Sequence, residues 1–315
     1  MMGTLGGDEL RGALMSFASR ARSRIALVVL PLAAALGLAA CGPPPDSYVA
    51  LGDSYTAGPL ITPQDPAVPG CLRSLADYPH LIAPDLNQPA FRDASCSGAQ
   101  TKDMTQAQDV EPDPDNPPQL DALDASTKIV TLGIGGNDIG FSEIARTCVE
   151  LFARQQTGSP CRDFYNQGGV DEIGRRIAAL APVFDRVLDE IEARSPQAKV
   201  FTVGYPAILP ETTNLFELCQ PVLPVAKGDV PWLRDEVEKR LNATIRYVTA
   251  ANGDVYVDTY GPSIGHDACQ PEGIRWVEPL VPAMDAAPIH PNRLGMEATA
   301  DAVRNTMRAS GVSVG

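Results

Sequence analysis

The sequence predicts an α/β protein with a central parallel sheet and helices on both faces. Three observations carry this. Short β-branched or aromatic runs recur along the chain, amphipathic helical patterns lie between them, and Gly, Asp or Thr follows most runs. The runs are 48–51, 129–132, 200–203 and 255–257, with a fifth at 91–94. Most lack charge, as suits parallel strands buried on both sides. Ile173, Ile177, Leu180, Phe184, Leu188 and Ile191 step by three or four, which is one face of a helix that stops before Pro196. Leu233, Val237, Leu241, Ile245 and Val248 repeat the pattern, and a last helix is expected from about Arg293 to Arg308. Segments 110–119 and 205–231 are rich in Pro and read as long loops.

The 315 residues, 44% hydrophobic and 20% charged, have the composition of an ordered globular protein. A net charge of −14 repels phosphate backbones and argues against a nucleic-acid partner. The beginning of the chain reads as an address. Arg20, Arg22 and Arg24 precede an uncharged run over 25–40, short for a membrane span and interrupted by Pro31. It ends Leu38-Ala39-Ala40-Cys41, which resembles a bacterial lipobox. Residues 1–40 are therefore expected to be a lipoprotein signal, 41–46 a spacer carrying Pro43 to Pro45, and 47–315 the working domain. Lipidated Cys41 would hold the exported protein on the membrane at the cell surface; without lipid it would be secreted. Six of the seven Cys then remain, an even number that reads as three disulfides in an exported chain. Neighbour pairing is the simplest arrangement, and the sequence leaves the others open. No C-x-x-C spacing occurs and there are only three His, so no metal is expected.

In a doubly wound sheet, ligands bind beyond the carboxyl ends of the strands. The first run leads into Gly52-Asp53-Ser54, and the run at 129–132 leads into Gly133-Ile134-Gly135-Gly136-Asn137-Asp138. Near the end of the chain, Ile289-His290-Pro291-Asn292 opens the last helix. A serine hydroxyl needs a base to take its proton, and histidine is the natural base near neutral pH. The tetrahedral intermediate needs donors, which Gly-rich backbone and an Asn amide supply. Converging at one crevice, these segments would perform acyl transfer.

With these residues in place, the chain resembles the SGNH (GDSL-type) lipases and esterases, particularly secreted actinobacterial members. Gly52-Asp53-Ser54 matches the first block, with Tyr55 where many members have Leu. Ser97-Gly98-Ala99 matches the second block, Gly135-Gly136-Asn137-Asp138 the third and His290 the fourth, in order across nearly the whole mature chain. The resemblance implies a flavodoxin-like three-layer α/β/α sandwich with about five strands and three sequential disulfides, Cys71–Cys96, Cys148–Cys161 and Cys219–Cys269. It implies Ser54 as nucleophile and His290 as general base. The oxyanion hole would comprise the N–H groups of Ser54 and Gly98 and the amide of Asn137. The family's Asp three residues before the His is absent, because Ala287 stands there. Either Asp285 orients the imidazole or a backbone carbonyl does, and we favour the carbonyl.

The expected activity is hydrolysis of carboxylic esters, acyl lipids or short-chain esters, by a monomer without cofactor. Ile208, Leu209, Leu215, Phe216, Leu218, Val222 and Leu223 in the long loop are candidates for an acyl pocket. Acetylated cell-wall sugars are an alternative substrate, and a solute-binding lipoprotein without turnover is an alternative class. Other motifs have plainer readings. His80 reads as structural, and adjacent residues such as His266-Asp267 seldom face each other. Gly261-Pro262-Ser263-Ile264-Gly265 fits the G-x-S-x-G elbow but leaves no room for the remaining strands before His290. Gly133 to Asp138 lacks the last Gly of a dinucleotide fingerprint.

Overall fold

The computed structural model describes residues 46–315. The signal reading, Cys41 and all of the spacer but Asp46 lie outside the described residues. Five strands, β1 (Ser47–Gly52), β2 (Ala90–Asp93), β3 (Thr127–Gly133), β4 (Lys199–Val203) and β5 (Val255–Val257), form one sheet. All pairs are parallel and the order is β2-β1-β3-β4-β5. This is the flavodoxin-like order, and its topological switch point lies between β1 and β3. Four of the strand runs read from sequence fall within these strands, and the fifth, at 91–94, overlaps β2 one residue out of register.

Alternation along the strands splits the interior in two. Val49, Leu51, Val130, Leu132 and Val200 face helices Glu172–Arg194 and Arg240–Ala251 through Ile173, Ile177, Phe184, Leu241 and Ile245. Tyr48, Ala50, Ile129, Phe201 and Val257 face the opposite layer, with Tyr78, Ile82, Met296, Val303 and Met307. The last three belong to helix Arg293–Ala309. Each fully buried aliphatic of this kind contributes roughly 1.5–3 kcal/mol of transfer free energy. β1 is buried along its whole length, so its end is a rigid mount.

The helix over 172–194 starts at Asp171, whose carboxylate accepts from the Gly174 N–H, and stops two residues before Pro196. The stripe from Leu233 is divided. Residues Leu233–Lys239 form a wider π-type turn before the regular helix Arg240–Ala251 begins. Helix Phe141–Arg154 follows the Gly-rich turn after β3. Disulfides join Cys71–Cys96, Cys148–Cys161 and Cys219–Cys269, the neighbour pairing. Among the described residues, no helix is long and apolar enough to cross a membrane.

Candidate active site

At the switch point, β1 runs into Gly52, whose φ of +154° and tight surroundings demand glycine. A Cβ there would lie 2.2 Å from Thr56 Oγ1 and 2.6 Å from the Gly133 carbonyl. The Gln119 side chain clamps this residue, accepting from the Gly52 N–H at 2.8 Å and donating to its carbonyl at 2.9 Å. Asp53 caps the short helix Ser54–Ala57 by accepting from the Tyr55 N–H at 2.9 Å. Ser54 is therefore the first residue of a helix on the end of a buried strand.

His290 reaches this serine from the other end of the chain. Its Nε2 lies 2.8 Å from Ser54 Oγ, and its Nδ1 lies 2.8 Å from the Pro288 carbonyl. A carbonyl only accepts, so Nδ1 carries the ring hydrogen and Nε2 presents a lone pair to the serine hydroxyl. Burial holds the imidazole below the usual histidine range, and the Pro288 carbonyl works against that shift. The ring is thus neutral near pH 7. Its loop is pinned to residues 276–278 by the Trp276 carbonyl accepting from the Asn292 N–H and by reciprocal bonds between Glu278 and the 289–290 backbone. Tyr55 adds a tie, donating to the Ile289 carbonyl at 2.6 Å. Asp285 is not at the ring: its side chain is exposed and makes no hydrogen bond among the described residues. The hydrogen on Nδ1 goes to the Pro288 carbonyl in this structure.

Donors surround the hydroxyl. Among the described residues, the N–H groups of Ser54 and Gly98 meet no protein acceptor. The Asn137 amide gives one hydrogen to the Ala99 carbonyl at 2.9 Å and keeps the other. Gln100 Nε2 donates to the Asn137 carbonyl at 3.0 Å, and Asp138 accepts from the Thr101 N–H and hydroxyl. These bonds lock the Gly98 loop to the Asn137 turn. Tyr205 joins that turn to the serine helix, accepting from the Gly136 N–H at 2.8 Å and donating to Asp53 at 2.5 Å. Burial pushes the Asp53 carboxyl up to about 7, against the pull of the Tyr205 and Tyr55 donors.

A cleft of about 330 Å³ opens beside Ser54 and His290. Phe141, Ala145, Val149, Ile208, Val237 and Leu241 wall it, and the carboxyls of Asp53, Glu150 and Glu238 and the Arg146 guanidinium also line it. Of the loop residues expected there, Ile208 lines the cleft, and Leu209 and Leu223 line an adjoining recess of about 50 Å³. Leu215 and Leu218 face solvent instead, at 73% and 76% exposure. Tyr205, Glu238 and helix Phe141–Arg154 were not anticipated as parts of the site.

The rival motifs are accounted for locally. Ser263 Oγ donates to the Tyr260 carbonyl and accepts from the Ala207 N–H, so it is a buried structural hydroxyl. His266 stacks on Trp276 and its Nδ1 faces the Ile274 carbonyl, while Asp267 accepts from Cys269 and Gln270. One cluster of ligand-type side chains occurs among the described residues, Asp77, His80 and Asp93, with ligand atoms within 4.8 Å of one another. The Arg73 guanidinium acts on all three.

A hydroxyl facing an acceptor imidazole, with amide donors free around it, is what acyl transfer demands, and on this sheet it defines a serine-type ester hydrolase. More particularly, the chain belongs to the GDSL-like Lipase/Acylhydrolase family, whose model matches residues 50–298, and it is a carboxylic ester hydrolase. It is 44% identical over 250 residues to Lipase 2 of Streptomyces coelicolor, covering 79% of this chain and 81% of that protein. Among solved structures, phospholipase A1 from Streptomyces albidoflavus superposes with a TM-score of 0.66 at 26% identity, covering 84% of this chain and 100% of that one. The extracellular lipase from Streptomyces rimosus gives 0.62 at 25% identity, covering 83% and 99%.

Proposed function

We propose that Ser54 is the nucleophile of a lipase or esterase reaction on acyl esters. The observation that carries this is the 2.8 Å contact between Ser54 Oγ and an imidazole whose tautomer is set by Pro288. Ser54 Oγ attacks the ester carbonyl carbon while its proton passes to His290 Nε2. The negative oxygen is held by the N–H groups of Ser54 and Gly98 and by the second hydrogen of Asn137 Nδ2. Collapse breaks the ester C–O bond, and His290 returns the proton to the departing alcohol. Water then attacks the acyl-enzyme, giving its proton to His290, and the acid leaves with Ser54 restored.

The apolar cleft favours an aliphatic acyl group over an acetyl-sugar, which would need polar partners along the wall. Fluorophosphonate labelling of Ser54 tests the reading, and it also separates turnover from mere solute binding. Loss of label in Ser54→Ala together with loss of p-nitrophenyl butyrate hydrolysis is expected. Unchanged hydrolysis in Ser54→Ala sinks the reading.

Export as a lipid-anchored lipoprotein belongs to the same proposal. The basic residues, the uncharged run and Leu38-Ala39-Ala40-Cys41 support it, as does the extracellular description of the Streptomyces rimosus relative. With 47–315 as the working domain, Cys41→Ala is expected to move active protein from the membrane fraction to the medium.

A further inference from the structure

Glu238 is a carboxyl in an oily wall. It is 4% exposed and sits in the π-type turn Leu233–Lys239, between Val237 and the helix bearing Leu241. Widened turns of this kind concentrate at functional positions. One carboxyl oxygen accepts from the Ile208 N–H at 2.7 Å. The other is buried and has no hydrogen-bond partner. Burial pushes this carboxyl well above the usual carboxylate range.

The position is equally informative. Glu238 lines the cleft that holds Ser54 and His290. It also lines the adjoining recess, whose walls include Leu209, Leu223 and Val225 but neither Ser54 nor His290. A chain running from the reacting carbonyl into the recess follows the wall that the two share, which Glu238 helps to form with Phe141, Val149 and Ile208. Holding the Ile208 N–H requires a single acceptor oxygen. A carboxyl adds a second oxygen that this job does not use, and leaving a buried polar group without a partner is unfavourable. A plain hydrocarbon chain leaves it unpaired; a chain bearing an oxygen at that depth satisfies it.

We propose that Glu238 is a specificity-determining residue that selects acyl chains carrying a hydroxyl part-way along, so that the enzyme prefers hydroxyacyl esters to unsubstituted ones. The inference deepens the reading that the cleft takes the acyl part of the substrate, and rests on it.

The test compares methyl dodecanoate with its monohydroxy positional isomers, following acid release. For the wild type, kcat/KM is expected to exceed that of the plain ester about tenfold for one isomer or two neighbouring ones, as one buried hydrogen bond would give. Glu238→Gln keeps an acceptor for Ile208 and a donor for the chain, and should keep most of the preference. Glu238→Leu should bring the ratio to about one or below. Ratios are taken within each variant, so a general loss from the freed Ile208 N–H cancels. A flat wild-type series overturns the proposal, and so does a Leu variant with the preference intact. The wild-type series decides even if the Leu variant does not fold. Ser54→Ala is run alongside on the plain ester: activity there defeats the catalytic reading, whereas Ser54-dependent activity with a flat series defeats this inference alone.

Discussion

His80 and His290 are furnished in opposite ways. His80 Nδ1 lies 2.7 Å from one carboxylate oxygen, on Asp77, and 3.7 Å from another, on Asp93. Among the described residues no carboxylate pairs with His290, whose Nδ1 faces the Pro288 carbonyl. By the count of acidic neighbours His80 looks like the better-supported base. It nevertheless faces a buried pair of acids beside Arg73, and among the described residues no serine hydroxyl bonds to it. His290 turns a free lone pair to Ser54 at the end of β1, beside unused amide donors. The difference teaches that the nucleophile and the oxyanion donors define such a site, while the partner behind the imidazole is replaceable.

The largest effects should fall on that contrast. Ser54→Ala and His290→Gln are each expected to lower kcat/KM for p-nitrophenyl butyrate by about 10⁴-fold or more. His80→Gln should stay within about threefold. An equal collapse in His80→Gln, with the protein folded by circular dichroism, would break the comparison. Asn137→Ala comes next, at about 10²–10³-fold in kcat, because it removes one oxyanion donor. Its effect belongs in kcat, since the donor meets charge that develops only in the transition state.

Much of this half of the molecule was legible in the chain. Ser54, Asn137 and His290 sit in short segments at strand ends or a helix start, where local rules operate. Gly98 was reached only through the family resemblance, whereas the helix from Arg293 was legible as an amphipathic pattern, and its Asn292 cap accepts from the Gly295 N–H. The acyl wall was not. Glu238 steps by three and four into Leu241, Ile245 and Val248, at the edge of the apolar stripe, but a carboxyl there reads as a surface group, and the π-type turn that carries it has no sequence signature. Tyr205 acts on Asp53 across 152 residues, a pairing that only tertiary packing creates. In the long loop there is no period to separate exposed Leu215 from buried Leu223, so composition alone placed both at the pocket.

The acids around the two histidines also set a pH dependence of stability. Burial raises Asp53 to about 7 and Asp77 to about 8. Between the ordinary carboxylate range and those values, the folded state holds protons that the unfolded state has released. Stability is therefore expected to fall as pH rises from about 4 through about 8. Differential scanning calorimetry should show Tm decreasing over this interval. Asp77→Asn, if it folds, should flatten the slope, and a Tm that rises across the interval would contradict the direction of both shifts.

The smallest expected effect bears most directly on how His290 is held. In the proposed mechanism the neutral imidazole is the active form, and burial lowers its pKa. The acid limb of kcat/KM should therefore fall below the usual histidine value of about 6.5, with activity persisting to lower pH than an exposed histidine would allow. A carboxylate on Nδ1 would do the opposite, stabilising the imidazolium and moving the limb upward. Asp285 is exposed, and Nδ1 already gives its hydrogen to Pro288. Asp285→Asn should accordingly change kcat by less than about twofold and leave the limb in place. A downward displacement of the limb in Asp285→Asn, with a tenfold loss of kcat, would mean that the carboxylate reaches the ring during turnover. The carbonyl would then hold only the resting enzyme, and the contrast between His80 and His290 would narrow to geometry alone.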